Sequence, residues 1–443
     1  MNQQFYLGVA AEAVSPEVGC NLSGYAPDVI STSLHDDLTA TAFYFRQGET
    51  SAMMVSVTVC SISYELCDRM RDAISKTLGI PVEHCMIHAI HTHSGPITSG
   101  GYGWGDTNVE YCENVLIPGV LRAAQRAAES AVPVEMKVSV GESLVGINRR
   151  ELTPENKVIL GQNPWGSFNP AMTVISFRDG AGKTVGNIVH YGCHGTASGK
   201  NREISRDWAG VMIDTLTEVS GGVTAFFNGP EGDVGPRLAN GKTVGERNVR
   251  YAVELGGIAA RDAVRIFREK SGYRIPELTI SSKKLSIPLA KRPSKEFAEE
   301  ELKKYEGHTV NLKGRKRRYY EQILESYANG YEEKETTCFE QTVIRLGDVA
   351  FVSFPYELFS EIGMRIARAS EIPYTLSLSN TNGKGGYFVT EDQLCRGGYE
   401  VDMYRTRLPQ AYADNADYHA VTETLNHLKE LSEKENKRNV SNR

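Results

Sequence analysis

Strand-like and helix-like segments alternate through the first 270 or so residues, and this alternation limits the fold more than any other feature. TATAFYFRQ (39–47) and SAMMVSVTVC (51–60) are apolar and β-branched, as strands are. ELCDRMRDAISKTLG (65–79) has apolar residues at helical spacing and ends on a glycine. Repeated strand, loop and helix predict an α/β protein, with mixed sheets flanked by helices and functional loops at the strand ends.

Residues from about 289 to 336 break this pattern with a highly charged segment that is predicted to be a helical insertion. The chain then returns to strands and closes with a polar amphipathic helix near 416–434. The basic run KGRKRR at 313–318 could contact an anion or a nucleic acid. Because acidic residues flank it, we interpret it as a solvated helix face. We expect one large catalytic domain over residues 1–443, carrying this insertion.

The composition argues against several partners. The formal net charge of −6 gives no general electrostatic reason to bind nucleic acid or an anionic membrane. No window approaches the ~20 apolar residues of a membrane span, and the first residues lack a secretory pattern. Eight cysteines without a CxxC pair are typical of unpaired thiols in a reducing compartment. We therefore expect a cytoplasmic protein without integral membrane association, or an exported one if a leader precedes this sequence.

The sharpest local motif is His91-Thr92-His93, at the end of an apolar strand. Residues i and i+2 of a strand point to the same side, so both imidazoles can face one pocket. Neutral imidazole is a good zinc ligand, and a strand end would hold two of them firmly. A pair of hydrogen-bonded histidines in a turn is the alternative, since so short a motif is not specific.

A second pair, His190 and His194, lies where another strand gives way to a glycine-containing loop. His194 at the loop edge is the better ligand candidate, and His190 is expected to be a hydrogen-bonded core residue or a residue that supports the ligands from behind. Two strand-end histidine sites favour a metal centre without identifying it. The glycine-rich turn at 228–236 could hold an anion on successive backbone N–H groups, although an ordinary tight turn is the simpler interpretation.

Taken in order, the motifs of this chain resemble the neutral, non-lysosomal ceramidase family along nearly its whole length. They are SPEVG and SGY near 15–25, LHD at 34–36 followed by Leu38, HTHSGP at 91–96, NRR at 148–150, CH at 193–194, GDV-x-P at 232–236, PYELF at 355–359, and 382–390 followed by GYE at 398–400. Single motifs of this kind are common, but eight in the same order are specific.

The resemblance implies a zinc site with four ligands, which are His91, His194, Glu357 and Tyr387. It also implies three catalytic residues around the ion, which are His93, Arg149 and Tyr399. Zinc would activate a water and polarise an amide carbonyl, His93 would move the proton, and Arg149 or Tyr399 would hold the oxyanion. From the residues alone, Glu357 could equally be a helix N-terminal carboxylate and Tyr387 a core aromatic.

The chain departs from the family pattern in its glycine loop. The family carries a serine implicated in amide cleavage where this chain has Gly235, and small residues where it has Pro230 and Glu231. We also expect this protein to lack the family's C-terminal immunoglobulin-like domain. Loss of the serine side chain is expected to open space beside the metal. We therefore expect weak or no cleavage of long-chain ceramide, and activity on a shorter or more polar N-acyl compound.

These arguments predict a zinc-dependent hydrolase that cleaves the carbon–nitrogen bond of a small-molecule N-acyl substrate by zinc-activated water. One alternative is a zinc deacylase or esterase acting on a small polar substrate, such as an N-acylated sugar or amino acid. A second alternative is a metal-binding homologue that has lost turnover.

Overall fold

The computed structural model describes residues 4–407 and 410–441, so residues 1–3, 408–409 and 442–443 of the expected domain lie outside the described part. The strands are β1 Phe5–Ala13, β2 Ser33–Leu34, β3 Thr39–Gln47, β4 Thr50–Val57, β5 Cys85–Ala89, β6 Val132–Glu142, β7 Gly146–Asn148, β8 Arg150–Leu152, β9 Val158–Leu160, β10 Ala171–Asp179, β11 Thr184–Tyr191, β12 Glu203–Ile204, β13 Val223–Asn228, β14 Val234–Pro236, β15 Leu278–Pro288, β16 Thr336–Leu346, β17 Val349–Ser353, β18 Glu357–Leu358, β19 Tyr374–Leu378 and β20 Tyr387–Phe388. The α-helices are α1 Tyr64–Leu78, α2 Val109–Tyr111, α3 Ile117–Glu129, α4 Asp207–Ser220, α5 Arg250–Phe267, α6 Lys295–Lys304, α7 Asn311–Ala328, α8 Ser360–Ala369, α9 Glu391–Leu394, α10 Tyr399–Arg405 and α11 Ala416–Ser441.

Two mixed sheets form the centre of the protein. The larger has eight strands in the order β13-β11-β10-β6-β1-β3-β4-β5, and the smaller has four in the order β15-β16-β17-β19. Most neighbours are antiparallel, but β4 with β5, β11 with β13, and β17 with β19 are parallel. The predicted class, an α/β protein with mixed sheets flanked by helices, is confirmed.

The two sheets pack against each other and carry helices on their outer faces. Along β4, Ala52 and Met54 join an apolar cluster shared with the smaller sheet, while Met53 and Val55 pack in a cluster with α1 and α3. This alternation follows from the two-residue period of a strand. Helices α4 and α5 cover the rest of the larger sheet, and α8 and α11 cover the smaller one.

Local signals set the helix boundaries as the sequence predicts. Ser63 caps α1 by accepting from the Leu66 backbone N–H, and Gly79 ends it in the left-handed conformation. The helix expected from Val109 to Ser130 is present as α2, a π-helical turn at Cys112–Leu116, and α3. All eight cysteines are unpaired. None of the helices in the described part of the chain has the length and apolarity needed to cross a bilayer.

The charged segment is a helical insertion between two paired strands, as predicted. Strands β15 and β16 are antiparallel neighbours with Pro288 opposite Thr336, and α6 and α7 lie between them. The interpretation of 313–318 as a solvated face holds for Arg318, which pairs with Glu325 on the helix surface. It is wrong for Arg315, because this side chain turns inward and donates to Thr406 near the end of α10.

Candidate metal centre

The four proposed ligands come from four segments and meet at one point of the structure. His91 follows β5, and His194 follows β11. Glu357 and Tyr387 each begin a two-residue strand, and these strands pair in parallel with Glu357 opposite Tyr387. All four side chains are buried. His91 and Glu357, which lie far apart in the sequence, are therefore brought within 3.4 Å of each other.

The separations between the ligand atoms suit a single tetrahedral ion. Glu357 Oε2 lies 3.4 Å from His91 Nε2 and 3.3 Å from His194 Nε2. Tyr387 Oη lies 3.3 Å from His194 Nε2. A tetrahedron with zinc–ligand bonds of about 2.0–2.1 Å has edges of about 3.3–3.4 Å. The cluster thus has the size of a zinc coordination sphere.

Backbone carbonyls orient both imidazoles towards this point. His91 Nδ1 lies 2.8 Å from the carbonyl oxygen of Cys60, and His194 Nδ1 lies 2.8 Å from that of Glu231. A carbonyl only accepts, so each Nδ1 carries the hydrogen and each Nε2 presents a lone pair to the cluster. His91 also adopts a left-handed backbone with φ of 70°, an unfavourable conformation typical of functional sites.

The charge balance of the cluster leaves room for a cation. Glu357 Oε2 has no hydrogen-bond partner among the described residues. Burial opposes ionisation of Glu357, but a positive charge at the position of His91 holds its pKa well below the usual range. Burial likewise opposes a positive charge on His91, but Cys60 and Glu357 raise its pKa well above the usual value. Since Nδ1 already donates to the Cys60 carbonyl, this charge requires either a proton on Nε2 or a cation beside it. A divalent ion would supply this positive charge, so the residues fit one.

His93 lies beside the ligands and faces the same cavity, of about 210 Å³, as His91, Glu357, Tyr387 and Tyr399. Its Nε2 is 3.3 Å from His91 Nε2, and its Nδ1 has no hydrogen-bond partner among the described residues. The two histidines do share one site, but the predicted reason is wrong. Strand β5 ends at Ala89, and the left-handed turn at His91, not strand alternation, brings the rings together.

Arg149 is close to the site but behind one of its ligands. Its guanidinium donates to Tyr387 Oη at 2.9 Å and to Glu400 Oε1 at 2.8 Å. Arg149 is not among the described residues that line the cavity, whereas Tyr399 is. Two of its N–H groups are engaged by Glu400 and Tyr387, which argues against the expected role of Arg149 as an oxyanion holder, and that role stays a prediction.

Comparison with known proteins agrees with this geometry. The family model described as neutral/alkaline non-lysosomal ceramidase, N-terminal, matches residues 5–249, which is more than half of the chain. The chain belongs to this family. The neutral ceramidase of Pseudomonas aeruginosa is 27% identical over 203 residues, which are 40% of this chain and 30% of that protein. The matched part thus spans under a third of the relative.

Two solved structures have the same fold. The neutral ceramidase of Pseudomonas aeruginosa superposes with a TM-score of 0.74 at 18% identity, covering 97% of this chain and 75% of that one. A ceramidase complexed with C2 gives 0.72 at 18% identity, with 95% and 74% covered. The family membership predicted from the ordered motifs is confirmed, and so is the ceramidase fold.

Gly235, where the resemblance leads one to expect a serine, does not enlarge the cavity. A Cβ at Gly235 would lie 2.6 Å from Thr243 Cβ and 3.0 Å from its Cγ2. Thr243 is buried and therefore fills the volume that a side chain at 235 would need. The expectation that Gly235 opens space beside the metal is wrong. Glu231, which with Pro230 also departs from the expected pattern, is buried and accepts from Asn380, and burial raises its pKa to about 8.

His190 is a core residue, as the sequence predicts. It is buried, and its Nε2 lies 3.0 Å from the carbonyl oxygen of Ser377, to which it donates. Burial lowers its pKa to about 4. The ring is outside the groups of side chains whose ligand atoms converge among the described residues.

Three residues near the four proposed ligands were not predicted from the sequence. Cys60 follows β4, the parallel neighbour of β5, and its thiol forms a second convergent group with His91 and His93. Carboxyl ends of parallel strands meet at one sheet edge, so this pairing could have pointed to Cys60. Lys384 and Arg315 also line the cavity, and no local signal in the sequence sets them apart from surface cations.

Proposed function

We propose that the protein is a zinc-dependent amidohydrolase that cleaves small N-acyl compounds in the cavity beside His91, His93 and Glu357. The convergence of two oriented imidazoles, a carboxylate without a donor and a phenol carries this proposal. Membership of the ceramidase family supports amide hydrolysis as the reaction. The shared apolar cluster between the two sheets supports a single catalytic domain.

The residues fit zinc as two nitrogen and two oxygen ligands. When bound, the ion supplies a Lewis acid that lowers the pKa of water and polarises the amide carbonyl. Arg149 holds the Tyr387 oxygen in place, and the backbone carbonyls of Cys60 and Glu231 fix the two imidazoles. These supports keep the ligand geometry ready before substrate enters.

Proton transfer falls to His93. Its ring borders the cavity, lies next to the ligand cluster and has one nitrogen without a partner among the described residues. In this proposal His93 takes a proton from the attacking water and passes it to the leaving amine. The balanced reaction adds one water: a C–O bond forms, the C–N bond breaks, and a carboxylic acid and an amine leave.

Tyr399 is the residue placed to stabilise the developing oxyanion. It borders the cavity, and burial raises the pKa of its phenol, so the hydroxyl remains protonated and able to donate. A donor fixed at the position where charge develops lowers the barrier in a site shielded from water. No side-chain nucleophile at 235 is required by this arrangement.

The cavity supports a small substrate. Its volume of about 210 Å³ is below the roughly 300–1,000 Å³ of sites for drug-sized ligands. Long-chain ceramide is therefore a poor fit, although a solved relative is described as complexed with C2. The same groups could cleave an ester, so a small polar ester is the second candidate.

Metal analysis together with turnover measurements tests the proposal. We expect about one zinc per chain, and release of amine from at least one short N-acyl compound in a panel of amides and esters. Cleavage of esters alone would favour the second candidate. A fully loaded site without turnover of any compound would indicate a metal-binding homologue, and protein that takes up no zinc would refute the metal assignment.

A further inference from the structure

The cavity beside the metal cluster has an unusual charge distribution. Three cations line it, Arg315 from the helical insertion, Lys384 from the loop before β20, and Arg407 after α10. Glu357 is the only carboxylate among the described lining residues, and it belongs to the ligand set. With the ligand cluster neutralised by a divalent ion, the cavity would carry a net positive charge.

The three cations lack acidic partners within the described part of the chain. Arg315 donates to the Thr406 hydroxyl at 3.1 Å and to its carbonyl at 3.3 Å. Lys384 donates to the carbonyl of Ser99 at 3.0 Å, and Arg407 to that of Gln410 at 3.0 Å. Carbonyl and hydroxyl oxygens accept hydrogen bonds but do not neutralise a charge, so these hydrogen bonds leave each cation without a counter-charge.

Two neighbouring arginines of α7, unlike Arg315, form ion pairs with carboxylates. Arg317 pairs with Glu321 and Arg318 with Glu325, both at 2.8 Å on the helix surface. Charged groups removed from water are costly unless a counter-charge accompanies them. Burial lowers the pKa of both Arg315 and Lys384. For Lys384 the charges of Cys60 and Glu357 act against this lowering, and the charge of Arg315 adds to it. An anion in the cavity would offset this cost.

We propose that Arg315, Lys384 and Arg407 bind a carboxylate of the substrate, which would then be a small amide of the N-acyl amino acid class. This inference rests on the proposed hydrolytic function and narrows its substrate. A guanidinium matches a carboxylate with two parallel hydrogen bonds, and an ammonium adds a point charge. Among oxyanions, the carboxylate is the smallest that can share about 210 Å³ with an amide.

The test compares three matched substrates on the zinc-loaded full chain. N-acetylglycine carries a carboxylate, N-acetylethanolamine has a neutral hydroxyl in its place, and the phosphate ester of N-acetylethanolamine has a larger anion. Released amine gives kcat/KM for each. We expect wild type to prefer N-acetylglycine. Equal or better turnover of N-acetylethanolamine would overturn the proposal, and preference for the phosphate ester would overturn the choice of a carboxylate.

Two variants separate anion binding from a structural effect. Arg315→Gln and Lys384→Gln should each lower the ratio of kcat/KM for N-acetylglycine over N-acetylethanolamine by about 10- to 100-fold, as expected for a lost charge-assisted hydrogen bond. Arg318→Gln is the matched control on the same helix and should keep this ratio, since exposed ion pairs contribute little. Equal losses on both substrates, with the ratio unchanged in both variants, would mean a structural role and overturn the proposal.

Binding measurements keep the inference testable if no amide is hydrolysed. Calorimetric titration of the zinc-loaded protein with N-acetylglycine should then show binding that weakens about 10-fold or more in Arg315→Gln. That result would support the anion site while removing the hydrolytic function. Binding of equal strength in wild type, Arg315→Gln and Lys384→Gln would instead place the carboxylate on the metal and overturn the proposal.

Discussion

Replacing Gly235 with serine, the residue that the ceramidase resemblance leads one to expect there, should destabilise this protein. The new Cβ would lie 2.6 Å from Thr243 Cβ, whereas ordinary contacts between such atoms are about 3.5–4.0 Å. Neither side can move freely. Gly235 lies in β14, which pairs with β7, and the carbonyl of Thr243 accepts from the Thr196 hydroxyl at 2.9 Å.

The expected cost is that of an overpacked core, about 1–3 kcal/mol. Thermal unfolding of zinc-loaded protein measures it, and Gly257→Ser is the control. Gly257 lies in α5 with no atom within 4 Å of a built Cβ, so serine there should be neutral or slightly stabilising. Combining Gly235→Ser with Thr243→Gly should recover most of the cost, because the overlapping atoms are then gone.

Two outcomes would refute this reasoning. Unfolding of Gly235→Ser at the wild-type temperature, with unchanged zinc content, would mean that the side chain finds space elsewhere. An equal cost of the serine in the Thr243→Gly background would mean that Thr243 is not what excludes it.

Three further predictions follow from the site and its surroundings. His91→Ala and His194→Ala should each abolish zinc binding, while His190→Ala should lower thermal stability and leave zinc content intact; equal zinc loss in all three would contradict the ligand assignment. Burial lowers the pKa of His190 to about 4 in the folded state, whereas an imidazole in the unfolded chain has a pKa of about 6.5. The contribution of neutral His190 to stability is therefore complete above pH ~6.5 and is lost as the pH falls towards 4. Unfolding followed from pH 7 to 4 should therefore be less pH-dependent for His190→Gln than for wild type. Glu400→Gln should lower the free energy of unfolding by about 3–5 kcal/mol, because it removes the carboxylate that pairs with the buried guanidiniums of Arg149 and Arg150. Glu113→Gln, which breaks an exposed pair with Arg69, should have little effect. Similar unfolding temperatures for the two variants would refute this.

Much of the fold could be predicted because its signals are local. The helix over Val109–Ser130 and the insertion at 289–336 are visible as changes in periodicity and charge, and both are present in the structure. The left-handed backbone of His91 was not visible, since a histidine with positive φ leaves no mark in a sequence. The two rings were therefore placed together for a wrong reason.

The residues of the candidate metal site were harder to predict from local sequence patterns than the fold. Glu357 and Tyr387 lie on two-residue strands 30 positions apart, and only the parallel pairing of those strands brings them together. Their assignment came from the family resemblance, not from spacing. Arg315 lies within a basic run, and its sequence neighbours do pair with acids on the helix surface. What distinguishes Arg315 is the tertiary contact with Thr406, which composition does not reveal.

The insertion carries Arg315, which we propose to contact the substrate, but none of the four proposed metal ligands. The segment with helices α6 and α7 leaves the smaller sheet after Pro288 and returns to it at Thr336, and these two residues are paired with each other. Lengthening a flexible loop costs little stability, since each doubling of its length adds only about 0.6 kcal/mol of loop-closure entropy. Relatives could thus exchange this excursion, together with the Arg315 it carries, and acquire a different substrate preference, while the four proposed ligands, none of which lies in the excursion, remain untouched.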